Sequence, residues 1–247
     1  MGHTLLLEHP AEPCIFIERL NRFTGIAVIR GREERIHITN TGRLHDFLVK
    51  GRRCIAYRIN GVKLKHRLMA VQHRGGYALI DTRMQMQALE EAVKKGVIPW
   101  LAGCRITARN PRTPTSVLDY RLECSGREVL VEVKSAVLEG PSGEAMYPDC
   151  PTERGRRHVK EIITLAGEGV DAMIIMIAAF PGAKCFKPYK EGDPGLYQEL
   201  TRALTNGVPV KAVSLYTTYT GTNAQIYLEN PNLPLCREWV KESESNL

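Results

Sequence analysis

Two β-rich runs flank the dipeptide Ser125-Gly126, and they constrain this chain more than any other stretch. Residues 116–123 (SVLDYRLE) and 127–134 (REVLVEVK) each read as a strand, and Ser-Gly is turn chemistry. If those two residues are the whole loop, paired positions sum to 251 and Asp119 lies directly opposite Glu132. Side chains alternate along a strand, so Glu132 and Lys134 share a face while Val131 and Val133 point the other way. Two acids and a lysine then meet on one side of a hairpin. The reading depends on register, because a one-residue slip sends Asp119 to the opposite face.

Opposed carboxylates repel unless a cation sits between them. Carboxylate oxygens suit hard ions, so Mg²⁺ or Mn²⁺ is the expected cofactor, with Asp119 and Glu132 as its ligands. Such an ion polarises a phosphoryl oxygen and lowers the pKa of bound water. Lys134 would orient that water or stabilise charge developing on the phosphate. The same spacing also describes a plain hairpin with a cross-strand Glu–Lys pair facing solvent.

The surrounding order gives the spacing a context. Residues 82–95 have helix-forming composition and end at Gly96. Residues 104–109 read as a further strand, and 152–166 as a second helix with Thr152 as N-cap. Residues 171–180 are apolar, too short to span a membrane, and fit a buried strand. Helix, three strands, helix, strand builds a mixed sheet flanked by helices.

This order resembles the core of the PD-(D/E)xK nucleases, with Asp119 matching the strand aspartate and Glu132-x-Lys134 the (D/E)-x-K. Glu91 matches the glutamate that the first helix often contributes. The chain is more closely similar to the SfsA family (sugar fermentation stimulation protein A, described as a DNA-binding protein or DNA/RNA nuclease). The matching pieces are Asn21-Arg22-Phe23, Asn40-Thr41-Gly42-Arg43, Gly96-Val97-Ile98-Pro99, Asp119, Glu132-Val133-Lys134-Ser135, Tyr147-Pro148-Asp149 and Thr152-Glu153-Arg154-Gly155 with His158. Two positions depart from the pattern: Thr39 stands where the family usually has proline before N-T-G, and Leu118 precedes Asp119. The resemblance implies an α/β (α+β) protein: an OB-like small β-barrel over 1–81, then a PD-(D/E)xK nuclease-like mixed α/β domain over 82–247.

The sequence supports the barrel independently. Short strand signals occur at 14–20, 23–30, 35–40, 53–59, 66–73 and 77–81, with Gly31, Gly61 and Gly75-Gly76 in the turns. A short helix is expected at 44–49. The charge is uneven: residues 1–81 hold 14 Lys/Arg against 7 Asp/Glu, while 82–247 hold 20 of each. The net +7 therefore comes from the first part. A basic barrel suits a nucleic-acid platform, DNA first and RNA second, because Lys and Arg neutralise phosphates. Arg22, Arg43, Arg52, Arg53 and Arg58 are the expected contacts, and Phe23, Phe47 and Tyr57 could stack on bases if exposed.

A second basic patch lies at 152–160, where Arg154 and Arg157 share one helical side with His158 beside them. Their place at a helix N-terminus suits a phosphate clamp next to the metal. His158 reads as a phosphate donor rather than a metal ligand. Asp149 could serve as an extra acidic ligand or simply shape the turn. The seven cysteines are odd in number and lack C-x-x-C, which argues against zinc and against a secreted disulfide framework. Most are expected as buried thiols, with room for one bridge. No signal-sequence pattern or membrane-spanning run is present, so a cytoplasmic location is the expectation. The sequence leaves oligomeric state open, a homodimer included. The rival to a metal-dependent nuclease is a non-catalytic DNA-binding regulator of sugar metabolism that keeps the nuclease fold.

Overall fold

A computed structural model describes residues 3–244, and the chain divides into two compact units. The first comprises Met1–Glu91, Ala179–Gly182 and Ser214–Asn230; the second comprises Ala92–Ala178, Ala183–Val213 and Pro231–Leu247.

The first unit contains strands β1 (Thr4–Pro10), β2 (Glu12–Asn21), β3 (Thr24–Ile29), β4 (Arg32–His37), β5 (Arg53–Arg58), β6 (His66–His73) and β7 (Gly76–Leu79). β4, β3, β2, β5 and β6 pair antiparallel in that order. A parallel pairing of β4 with β6, at Ile36↔His66 and His37↔Arg67, closes the ring into a five-stranded barrel. Phe16, Ala27, Ile36, Ile55 and Leu68 fill it and are essentially inaccessible. Gly25 lies where a Cβ would stand about 3 Å from Phe16 and Ile38 side-chain atoms, so the absent side chain lets the wall close. The Arg30-Gly31 turn places both residues at positive φ (52° and 76°), the conformation a two-residue hairpin needs.

Residues 44–49 depart from the expected helix. Leu44 has φ 56°, outside the helical region, and the segment forms turns pinned by the buried Phe47 ring, which contacts His73 and Phe180. Tyr57 is also buried, its hydroxyl donating to Asp81 at 2.6 Å. Phe47 and Tyr57 are therefore core residues and not exposed stacking platforms. Phe23, at 50% exposure, is open.

Helix α1 (Thr82–Lys94) leads from the first unit to the second. Its end is a Schellman motif, with Gly96 N–H to the Val93 carbonyl and Val97 N–H to the Ala92 carbonyl. The second unit then contains β8 (Cys104–Arg109), β9 (Tyr120–Cys124), β10 (Arg127–Ala136), β11 (Leu138–Glu139), β12 (Glu144–Tyr147), α2 (Glu153–Gly167), β13 (Ala172–Ala178), β14 (Cys185–Pro188), α3 (Pro194–Thr205) and α4 (Arg237–Glu244). β8, β9 and β10 run antiparallel, and β10 pairs parallel with β13. β11, β12 and β14 form a small separate sheet.

Strand β9 begins four residues later than the sequence suggests. Pro111 and Pro114 interrupt any ladder, and Thr113 turns back to the Ser116 carbonyl through both its N–H and its hydroxyl. Helix α2 packs on β10 and β13. Its Thr152 cap accepts the Gly155 N–H at 3.0 Å. Asp193, the buried cap of α3, accepts the N–H groups of both Leu196 and Thr152, so one carboxylate fixes two helix starts.

The cysteines correct the sequence reading. Six form the bridges Cys14–Cys54, Cys104–Cys124 and Cys185–Cys236, and Cys150 stands outside them. Two bridges join residues directly opposed across strands, a proximity that sequence spacing does not reveal. No helix among the described residues is long and apolar enough to cross a membrane.

Candidate active site

The hairpin keeps the expected register for five pairs, from Arg127↔Cys124 to Val131↔Tyr120. It breaks at the next residue. Asp119 N–H donates to the Val131 carbonyl at 3.1 Å, and the side chain turns onto β10, where Oδ2 accepts the Val133 N–H at 2.8 Å. Beyond Val131 the Val133 N–H has no strand partner on this side, and the carboxylate supplies one. The direct cross-strand pair of Asp119 with Glu132 is thus replaced by a cap, although Glu132 still lies close enough to raise the Asp119 pKa.

Glu132 and Lys134 share a face, as alternation requires, but that face is covered. Glu132 is 2% exposed, Lys134 8% and His158 4%. Helix α2 presents His158, whose Nδ1 lies 2.6 Å from Glu132 Oε1. Lys134 Nζ donates to the same oxygen. Glu132 Oε2 is buried without a hydrogen-bond partner among the described residues.

The electrostatics follow. Burial and the neighbouring Glu132 charge push Asp119 up to about 6, against the opposing Val133 hydrogen bond, Lys134 and His158. Burial works to raise Glu132 too, but the Lys134 charge and the His158 and Lys134 hydrogen bonds outweigh it and hold Glu132 below its ordinary value. Burial works to lower Lys134, while Tyr147, Glu132 and Asp119 together keep it above. The site is a buried ion set at near-neutral pH: an ionised glutamate, an ammonium and an aspartate whose titration is shifted up toward neutrality.

The three residues expected to hold phosphate line one cleft. A cleft of about 490 Å³ is lined by His158, Arg154 and Arg157, together with Arg112 and Ser116, which carried no sequence signal. Arg154 Nε lies 3.4 Å from His158 Nε2, so the imidazole bridges cleft and carboxylate. Glu161, one helical turn from His158, accepts from the Thr115 hydroxyl and, at 3.3 Å, from its N–H, fixing the loop ahead of Asp119. Asp149 is half-buried in the turn before α2. Among the described residues, no three His, Cys, Asp or Glu side chains form a ready metal cluster. Asp119 and Glu132 contribute two carboxylates, which suits a Mg²⁺-type ion completed by water and substrate oxygens.

Glu91 is half-buried near the C-terminal end of α1, within the first unit. Arg22, Arg43, Arg53 and Arg58 are exposed on that unit, whereas Arg52 is half-buried and donates to the Asp46 carbonyl. Arg58 lies 3.7 Å from Glu12. Arg19, unremarked in the sequence, organises this surface: its guanidinium donates to the carbonyls of Asn21, Arg22, Asn40, Gly42 and Arg43. It ties the N-R-F turn to the N-T-G-R turn and presents Arg22 and Arg43 together. Thr39 also finds a use, its hydroxyl donating to Asp81 and accepting the Thr82 N–H, each at 3.0 Å.

Two family models match, "SfsA N-terminal OB domain" over residues 17–80 and "Sugar fermentation stimulation protein RE domain" over residues 83–221. A sugar fermentation stimulation protein homolog of Pyrococcus furiosus is 48% identical over 213 residues, covering 86% of this chain and 92% of the relative. One of Archaeoglobus fulgidus is 40% identical over 225 residues, covering 90% and 94%. A solved structure, Pyrococcus furiosus SfsA in complex with Ca²⁺, superposes with a TM-score of 0.89 at 44% identity, covering 94% of this chain and 99% of that one.

Proposed function

This chain belongs to the SfsA family, and we propose that it binds nucleic acid and hydrolyses phosphodiester bonds with a divalent cation. The observation that carries the reading is Glu132: one oxygen is shared by Lys134 and His158, and the other is buried without a hydrogen-bond partner among the described residues, beside an aspartate whose pKa is raised. A buried orphan carboxylate oxygen is costly unless something fills its coordination. A divalent cation fits that donor set, with Asp119 and Glu132 as its protein ligands and Mg²⁺ or Mn²⁺ as the ion. Such an ion supplies Lewis acidity toward phosphoryl oxygen when bound. The Pyrococcus furiosus relative was solved in complex with Ca²⁺, which supports a divalent cation as the class of ion.

The chain's own residues do the rest. Lys134, held against Glu132, supplies a fixed positive charge toward the developing negative charge of the phosphoryl group. His158 orients Glu132 through Nδ1 and meets Arg154 through Nε2 at the cleft. Arg154 and Arg157 hold the phosphate backbone there, while Arg22, Arg43, Arg52, Arg53 and Arg58 give the basic barrel its salt-dependent grip. DNA is the first substrate to test and RNA the second. A cleavage assay on single- and double-stranded DNA and RNA, with Mg²⁺ or Mn²⁺ and with chelator, tests the reading. Wild type cutting no better than Lys134→Ala would leave the family's alternative, a DNA-binding regulator without catalysis.

A further inference from the structure

The cleft beside His158 is built for more charge than one phosphodiester carries. Arg112, Arg154 and Arg157 all line it, and none makes an ion pair with an acid among the described residues. Glu161 is already taken up by the hydroxyl and amide of Thr115, a cleft-lining residue. Ser116, only 8% exposed, also lines the cleft, and its hydroxyl is buried without a hydrogen-bond partner among the described residues. Exposed arginines alone are ordinary surface. Three guanidiniums without a carboxylate partner among the described residues, one of them touching only the His158 ring, surround a buried hydroxyl and leave donors for an anion.

We propose that this cleft binds the phosphomonoester at a nucleic-acid strand end. An internal phosphodiester carries one charge, whereas a phosphomonoester carries roughly −1.5 to −2 near neutral pH on three acceptor oxygens. That dianion matches the guanidiniums and the Ser116 hydroxyl in both charge and acceptor number. The volume of about 490 Å³ suits a nucleotide-sized group. His158, bonded to Glu132 on one side and facing the cleft on the other, sets the strand end beside the carboxylates. The inference rests on the nuclease reading for its substrate and adds that a phosphorylated end is preferred.

The test is a binding titration of the full chain, in chelator, against one oligonucleotide bearing a 5′-phosphate, a 3′-phosphate or only hydroxyl ends. One phosphorylated end should bind about tenfold or more tightly than the hydroxyl form, the scale of charge-assisted hydrogen bonds. In Arg112→Ala, an exposed position whose fold can be checked by thermal melting, that preference should fall to within about twofold while the hydroxyl form binds as before. Equal binding of all three probes overturns the proposal, as does a preference that survives Arg112→Ala. A uniform loss across all probes in Arg112→Ala also overturns it, since the residue would then be a general backbone contact. Competition by inorganic phosphate without any gain from end phosphorylation marks a free-anion site and overturns it too. Each result stands apart from the nuclease reading, which fails only if metal-dependent cleavage is absent.

Discussion

His158 Nδ1 lies 2.6 Å from Glu132 Oε1, joining helix α2 to strand β10 at the one carboxylate that also accepts from Lys134. Two donors share one oxygen and leave the other free of partners among the described residues. The pairing holds the carboxylate in one orientation, and that orientation decides what the site can coordinate.

Removing Lys134 separates chemistry from fold. Lys134→Ala should lower the cleavage rate by about 100-fold or more, the scale of losing one preorganised electrostatic group. It should also cost about 3–5 kcal/mol of stability, because Glu132 loses a buried partner. Single-turnover cleavage and urea denaturation measure the two effects, and unchanged cleavage refutes the role given to Lys134.

A divalent cation should stabilise the wild type. At a concentration about 100 times its dissociation constant, the gain is about 2.7 kcal/mol. Glu132→Gln and Asp119→Asn should each remove most of the shift in melting temperature caused by Mn²⁺. An undiminished shift in both variants would place the ion elsewhere.

The pH dependence follows from Asp119. Its folded pKa of about 6 lies above the ordinary carboxylate value of 3.8. The folded state therefore binds more protons between those values, and the metal-free protein loses stability as pH rises through that window. Glu132, lowered on folding, acts in the opposite sense, so the difference between wild type and Asp119→Asn isolates Asp119. Metal affinity should rise across the same window as the proton leaves. Denaturation curves at pH 4 to 7 check the stability term, and identical pH profiles for wild type and Asp119→Asn contradict it.

The disulfides should contribute measurably. Cys185–Cys236 and Cys104–Cys124 have sequence separations of 51 and 20 residues. Chain-entropy reasoning assigns each about 3–4 kcal/mol. A reductant should lower the melting temperature. Without reductant, denatured protein should take up one equivalent of iodoacetamide, at Cys150, and seven after reduction. Uptake of seven without reduction would show the pairs to be open thiols.

Asp193 should matter more than an ordinary helix cap. Asp193→Ala removes the buried acceptor for two backbone N–H groups and the Arg156 partner at 3.0 Å. A loss of about 2–4 kcal/mol is expected, against about 1 kcal/mol for Thr152→Ala. Equal losses would mean that Asp193 acts as a cap alone.

Local patterns carried much of the architecture. The Ser125-Gly126 turn, with both residues at positive φ, set the β9–β10 register, and Thr152 and Asp193 announced their helices through side chains that cap N–H groups. The α2 and β13 segments were legible because their apolar content matched a buried helix face and a buried strand. Residues 44–49 misled because helix-forming composition gave way to the positive φ of Leu44 and the burial of Phe47.

The sequence by itself determined which face of β10 carries Glu132 and Lys134, because side-chain alternation is a property of the chain alone. Tertiary structure decided what that face meets. It covered the face with α2, bringing His158 to Glu132 from 26 residues away, and ended β9 so that Asp119 caps Val133. It also opposed cysteines separated by 20 to 51 residues and gathered Arg112 and Ser116 with Arg154 and Arg157 around one cleft. Such meetings depend on how sheets and helices pack over long sequence separations, and no local pattern encodes them.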